Sequence, residues 1–187
     1  MTSELIIEPL TPFIGAEITG VDLREVTHEQ VADIRAALLK HQVVFFRDQT
    51  LNQEEHIHFA RQFGELEIHP ATPRGQDNPE VLHIAHGPDS KGRENSWHSD
   101  VTWREKPSLG SILKAVEVPA VGGDTLFANM AEAYNRLPDS LKGKIAGKTA
   151  VHDIARVFAG RLNKTADQLR ETHPVVEDPV VRTLPET

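Results

Sequence analysis

The chain has 187 residues, 39% hydrophobic and 26% charged, with 20 basic and 28 acidic residues for a net charge of −8. That composition is ordinary for a globular domain, and one domain spanning 1–187 is expected from the length. The acidic balance, with no Lys/Arg cluster, argues against nucleic acid or an anionic membrane as the main partner. The absence of cysteine excludes disulfides, thiolate metal sites and cysteine nucleophiles.

The first ten residues carry acidic side chains and no basic, then apolar, leader pattern, and no run approaches the roughly 20 apolar residues of a membrane span. A cytoplasmic protein is therefore expected. Two short strands are expected at 5–7 and 14–18, punctuated by Pro9, Pro12, Gly15 and Gly20. Thr27 with Gln30 forms a capping box ahead of the helical stripe Val31, Ile34, Ala37, Leu38. The β-branched and aromatic run 43–46 reads as a buried strand. A second helix is expected over 53–63, capped by Asn52 with Glu55 and ended by Gly64 at C′. Its apolar face is Ile57, Ala60 and Phe63, and His56 and His58 fall on the surface.

Beyond residue 75 the pattern becomes strand-rich, with candidates at 81–85, 97–103, 110–118 and 125–129 separated by Pro and Gly. Such spacing favours an antiparallel sandwich or barrel. Helices are expected at 131–137, ended by Pro138, and from 141, with a strand at 149–152, a helical piece at 164–172 and a last strand at 180–183. Residues 184–187 read as a turn into a further strand, a hint that the chain is C-terminally incomplete.

The chemistry centres on Trp97-His98-Ser99-Asp100-Val101. On a strand, residues two apart share a face, so His98 and Asp100 would point into one space. A neutral imidazole and a carboxylate suit a divalent metal, and with one further His they form the facial triad of non-haem iron(II) oxygenases. Spacing alone is weak: a chain with ten His and this many Asp is expected to hold one His-x-Asp by chance.

The surrounding residues raise the specificity. The stretch Asn95-Ser96-Trp97-His98-Ser99-Asp100-Val101-Thr102-Trp103 resembles the signature of the taurine dioxygenase family. So do Phe13-Ile14-Gly15-Ala16-Glu17-Ile18, Gly20-Val21-Asp22 and His41-Gln42-Val43-Val44-Phe45-Phe46-Arg47-Asp48-Gln49. Phe63-Gly64-Glu65-Leu66, His69-Pro70, Gly122-Gly123-Asp124-Thr125-Leu126 and His173-Pro174-Val175-Val176 complete the series, in the family's order along nearly the whole chain. Members acting on alkyl sulfates or taurine look closest.

The resemblance implies a mainly β chain with flanking helices (α+β), built as a double-stranded β-helix or jelly roll. It implies Fe(II) on His98 and Asp100, and 2-oxoglutarate as co-substrate with a carboxylate on Thr125, a fitting charge-assisted hydrogen bond. It implies that His69 contacts a sulfonate or sulfate and that Val101 and Phe158 line an apolar wall. Taken singly, Thr125 reads as a strand threonine, His69 as a loop histidine, and Val101 and Phe158 as core packing.

The implied reaction uses dioxygen to hydroxylate the carbon next to a small-molecule sulfonate or sulfate ester. Sulfite or sulfate, succinate and carbon dioxide are released. The family's third iron-binding His and its 2-oxoglutarate-gripping Arg fall beyond Thr187. His152 and His173 sit in other places of the pattern and are not assigned as ligands. Taurine-using members carry a Tyr where this chain has Thr72, which makes an alkyl sulfate or another sulfonate as good a substrate. Family members are often homo-oligomers, though no interface is legible here. Competing readings are the same chemistry on an unrelated carboxylate, a non-catalytic jelly-roll binding module, and a zinc hydrolase. The last is disfavoured because His98 and Asp100 have no general-base partner nearby.

Overall fold

The computed structural model describes residues 4–73, 75–87, 96–160, 162–184 and 186. These form two compact units. The first comprises Met1–Leu66, Leu113–Lys144 and Thr183–Thr187; the second comprises Glu67–Ile112 and Ile145–Arg182.

In the first unit, β1 (Ile6–Pro9) pairs antiparallel with β2 (Ala16–Thr19), Ile7 opposite Ile18. Between them Gly15, at φ 88, turns the chain so that Leu10 donates to its carbonyl at 2.9 Å. Helix α1 (His28–His41) then crosses over, and β3 (Val44–Phe45) pairs parallel to β2. The α1 capping box forms as the sequence predicts, with Glu29 in the first turn and Lys40 and His41 in the last, each suited to the helix dipole.

Its C-cap is Gln42, left-handed at φ 66, which donates to Leu38 and turns the chain directly into β3. Helix α2 (Gln53–Arg61) carries the expected Asn52–Glu55 capping box. Its C-cap, however, is a right-handed Gln62, so Gly64 lies one residue beyond the expected C′ position. Ile18, Leu23, Ile34, Ala37, Leu51 and Phe59 make the core. Phe59, 2% exposed, is the anchor of α2 that the expected apolar face omits. Strand β3 is half-buried rather than buried. The Gln49 side chain accepts from Leu23 N–H at 3.0 Å and donates to Val21 and Arg47 carbonyls, satisfying loop backbone that no ladder reaches. Helices α3 (Met130–Asn135) and α4 (Asp139–Ile145) follow, α3 capped by Asn129. Asn129 also donates to Phe13 O at 2.7 Å.

The second unit is built on β4 (Thr149–His152) and β5 (Val176–Pro179), an antiparallel pair with His152 opposite Val176. Helix α5 (Ala155–Phe158) and helix α6 (Ala166–Thr172), capped by Thr165 with Gln168, fill its core with Ile154, Ala155 and Leu169. Trp103, Phe158, Ala159, Leu162 and Ala166 pack on that core.

Several sequence expectations are corrected. None of 81–85, 97–103, 110–118, 125–129 or 180–183 forms a strand, and the final ladder runs over Val176–Pro179 instead. A strand exists only where a second strand supplies its hydrogen bonds, and these segments find none among the described residues. Much of their apolar surface stays open, with Leu113 75%, Val116 87% and Leu126 72% exposed. The described residues therefore mix helices and small sheets, with no closed barrel, rather than being mainly β. Helix α5 was not foreseen, since four residues carry too little periodicity. Among the described residues, no helix is long and apolar enough to cross a membrane.

Candidate functional site: an imidazole–carboxylate pair on a strained turn

His98 lies in a stretch without regular structure after Ser96, and Asp100 opens a turn through Trp103. The expected strand is absent, yet the two side chains converge: His98 Nε2 is 3.5 Å from Asp100 Oδ1. Both are more than half exposed. Their outer atoms are held. His98 Nδ1 stands 2.9 Å from Ser96 O, which requires Nδ1–H to donate and turns Nε2 toward the carboxylate. Ser111 Oγ donates to Asp100 Oδ2 at 3.1 Å, which leaves Oδ1 free.

Metal-binding histidines characteristically tether the far ring nitrogen to a carbonyl in this way. Two donors about 2.1 Å from a shared ion, at right angles, stand about 3 Å apart, so 3.5 Å asks for only a small adjustment. The pair thus fits two positions of a divalent iron. Among the described residues no third His, Asp or Glu completes a cluster around it.

Val101, next in the chain, has φ 47. A β-branched residue there is a true backbone outlier costing about 1–3 kcal/mol, of the kind that clusters at functional sites. Arg104 N–H closes the turn on Val101 O at 3.0 Å. Val101 is half-buried.

His69 is half-buried in a loop, where its Nδ1 accepts from Ala71 N–H at 3.1 Å. Burial, together with the Arg104 charge, holds its pKa below the ordinary 6.5, against the opposite pull of Glu67 and Asp100. The neutral ring therefore carries its proton on Nε2, as an N–H donor. Phe158 lies against it, ring centroids 5.5 Å apart. The Thr72 hydroxyl is buried without a hydrogen-bond partner among the described residues.

Residues that the sequence reading left out tie this unit together. Arg104 Nε sits 2.6 Å from Glu67 Oε1, too bent for a hydrogen bond, and Ser108 Oγ donates to Glu67 Oε2 at 2.6 Å. Arg104 also lies over the Trp103 ring at 4.7 Å, and Trp103 meets His173 edge-on at 4.9 Å. Burial and then Arg104 and Lys164 lower the His173 pKa. His152 Nδ1 is 3.0 Å from Thr102 Oγ1, beside a shallow cleft lined in part by Trp103, Ile154 and Phe158. Glu67 and Arg104 stand 37 positions apart with no shared pattern, so no local signal pairs them.

Thr125 belongs to the first unit, where it is exposed two residues after the Gly122–Gly123 turn. Those glycines have φ 79 and 76, and a Cβ on Gly123 would come within 3.2 Å of Pro119, so the turn requires glycine at the second position.

Mixed helices and sheets carrying a tethered imidazole–carboxylate pair describe a class of site, and comparison with known proteins narrows it. The chain belongs to the TauD, TfdA family of taurine catabolism dioxygenases, matched over residues 6–187. It is 38% identical over 194 residues to an alpha-ketoglutarate-dependent sulfate ester dioxygenase of Pseudomonas putida, covering 97% of this chain and 63% of that protein. It is 37% identical to an alkylsulfatase of Acinetobacter baylyi, covering 100% of this chain and 61% of the relative. A crystal structure of a taurine dioxygenase from Burkholderia xenovorans superposes with a TM-score of 0.78 at 39% identity, over 98% of this chain and 60% of that one. The chain thus spans about three-fifths of the length of these relatives.

Proposed function

We propose that this chain provides the His-x-Asp half of an iron(II)- and 2-oxoglutarate-dependent dioxygenase acting on the carbon next to a sulfate ester or sulfonate. The convergence of His98 Nε2 and Asp100 Oδ1, each with its outer atom already tethered, carries the reading. The likeness to proteins named for sulfate esters and alkyl sulfates supports that substrate class. The same likeness supports a single jelly-roll domain.

In this reading His98 and Asp100 hold iron(II), which with 2-oxoglutarate and dioxygen supplies the oxidising power for C–H hydroxylation. Ser96 fixes the His98 tautomer and Ser111 orients the Asp100 carboxylate. The family likeness supports the Thr125 hydroxyl as the group that would donate to a carboxylate of 2-oxoglutarate. The neutral His69 donates Nε2–H to a sulfate or sulfonate oxygen, and Phe158 keeps the ring in its plane. Val101 and Phe158 give an apolar wall that excludes water from the reacting carbon. Succinate and carbon dioxide would be the co-products of that hydroxylation. The hydroxylated product collapses to an aldehyde and sulfate or sulfite. With Thr72 in place of a Tyr, an alkyl sulfate or another sulfonate is as good a substrate as taurine.

Anaerobic titration with Fe(II) and 2-oxoglutarate tests the site. A weak visible charge-transfer band should appear in the native protein and vanish in His98→Ala. A band that survives this substitution would remove His98 from the metal and sink the reading.

A further inference from the structure

The turn that carries Asp100 has an outlier at its centre, and such backbone persists only where the surroundings over-determine it. One partner comes from β4. The His152 backbone is fixed by pairing with Val176, and its neighbours are anchored too. Asp153 takes the Arg170 guanidinium at 2.7 Å and Ala155 N–H at 3.0 Å, while Ile154 and Ala155 are buried in the core. From this platform His152 Nδ1 reaches Thr102 Oγ1 at 3.0 Å, both residues being half-buried. Thr102 lies inside the 100–103 turn, directly after Val101 and two residues after Asp100.

We infer that His152 is a positioning residue for the metal pair. Through the Thr102 hydroxyl it holds the left-handed geometry at Val101, and this geometry aims Asp100 Oδ1 at His98 Nε2. The link works with either tautomer, since Thr102 can donate to a bare Nδ1 or accept from Nδ1–H. The inference rests on the proposed function, because it takes His98 and Asp100 as metal ligands.

Three variants test it. His152→Ala removes the link, Thr102→Val removes only the hydroxyl, and His152→Asn places an amide where Nδ1 was. In the metal-free protein, hydrogen exchange at the Arg104 amide reports the turn. It should quicken about tenfold in His152→Ala and Thr102→Val, with the β4–β5 ladder amides unchanged. Mn(II) binding followed by electron paramagnetic resonance should weaken about tenfold in the same two variants and return in His152→Asn. Mn(II) affinity that stays put in both variants, whatever the exchange does, overturns the inference while leaving the proposed function standing. A native protein that takes up no Mn(II) overturns both.

Discussion

His69 and His173 show how single residues set behaviour through their surroundings. Each has a pKa held below 6.5, chiefly by burial and next by nearby positive charge. The unfolded chain therefore takes up these protons first as pH falls. Their contribution to stability is full above about pH 6.5 and declines as pH drops below it. Urea midpoints should accordingly fall between pH 7.5 and 5.5, and His173→Gln should flatten that slope. A midpoint that rises on acidification would contradict the burial of both rings. At the His98–Asp100 pair the same scale gives a different rule, because Ser96 O decides which nitrogen of His98 faces Asp100. Ser111→Ala, which unties Asp100 Oδ2, should weaken Mn(II) binding about tenfold without changing thermal stability.

Elements are held by caps, apolar anchors and paired charges. Thr27→Ala removes the α1 N-cap and should cost about 1 kcal/mol in urea denaturation, whereas Thr27→Ser should be nearly silent. Leu169 in α6 is 0% exposed, and Leu169→Ala should cost about 3 kcal/mol. Glu67 and Arg104 join the His69 loop to the end of the 100–103 turn. In a double-mutant cycle with Glu67→Gln and Arg104→Gln, the two losses should fail to add by about 1 kcal/mol, measured by the same denaturation.

On the scale of the whole chain, the open apolar surface of the first unit stands out. Val116 and Val121 are 87% and 91% exposed on chain with no ladder partner among the described residues. Exposed apolar side chains on chain without a ladder invite association. The 187-residue chain should self-associate with rising concentration in sedimentation velocity, and Val121→Lys should reduce the effect.

The capping boxes of α1 and α2, the β4 bounds and the stripe Val31, Ile34, Ala37 could be read in the sequence because they depend on residues within a few positions of one another. So could the approach of His98 to Asp100, since the two lie in one contiguous motif. Everything that depends on distant partners was decided by tertiary structure. Strands at 97–103, 110–118 and 125–129 have the right composition and still lack ladders, because a ladder needs a second strand to complete its hydrogen bonds. The pair itself meets across a turn rather than along a strand. The tethers from Ser111, the tie from His152 to Thr102 and the Glu67–Arg104 contact each join residues 11, 50 and 37 positions apart, and no local pattern encodes such a distance.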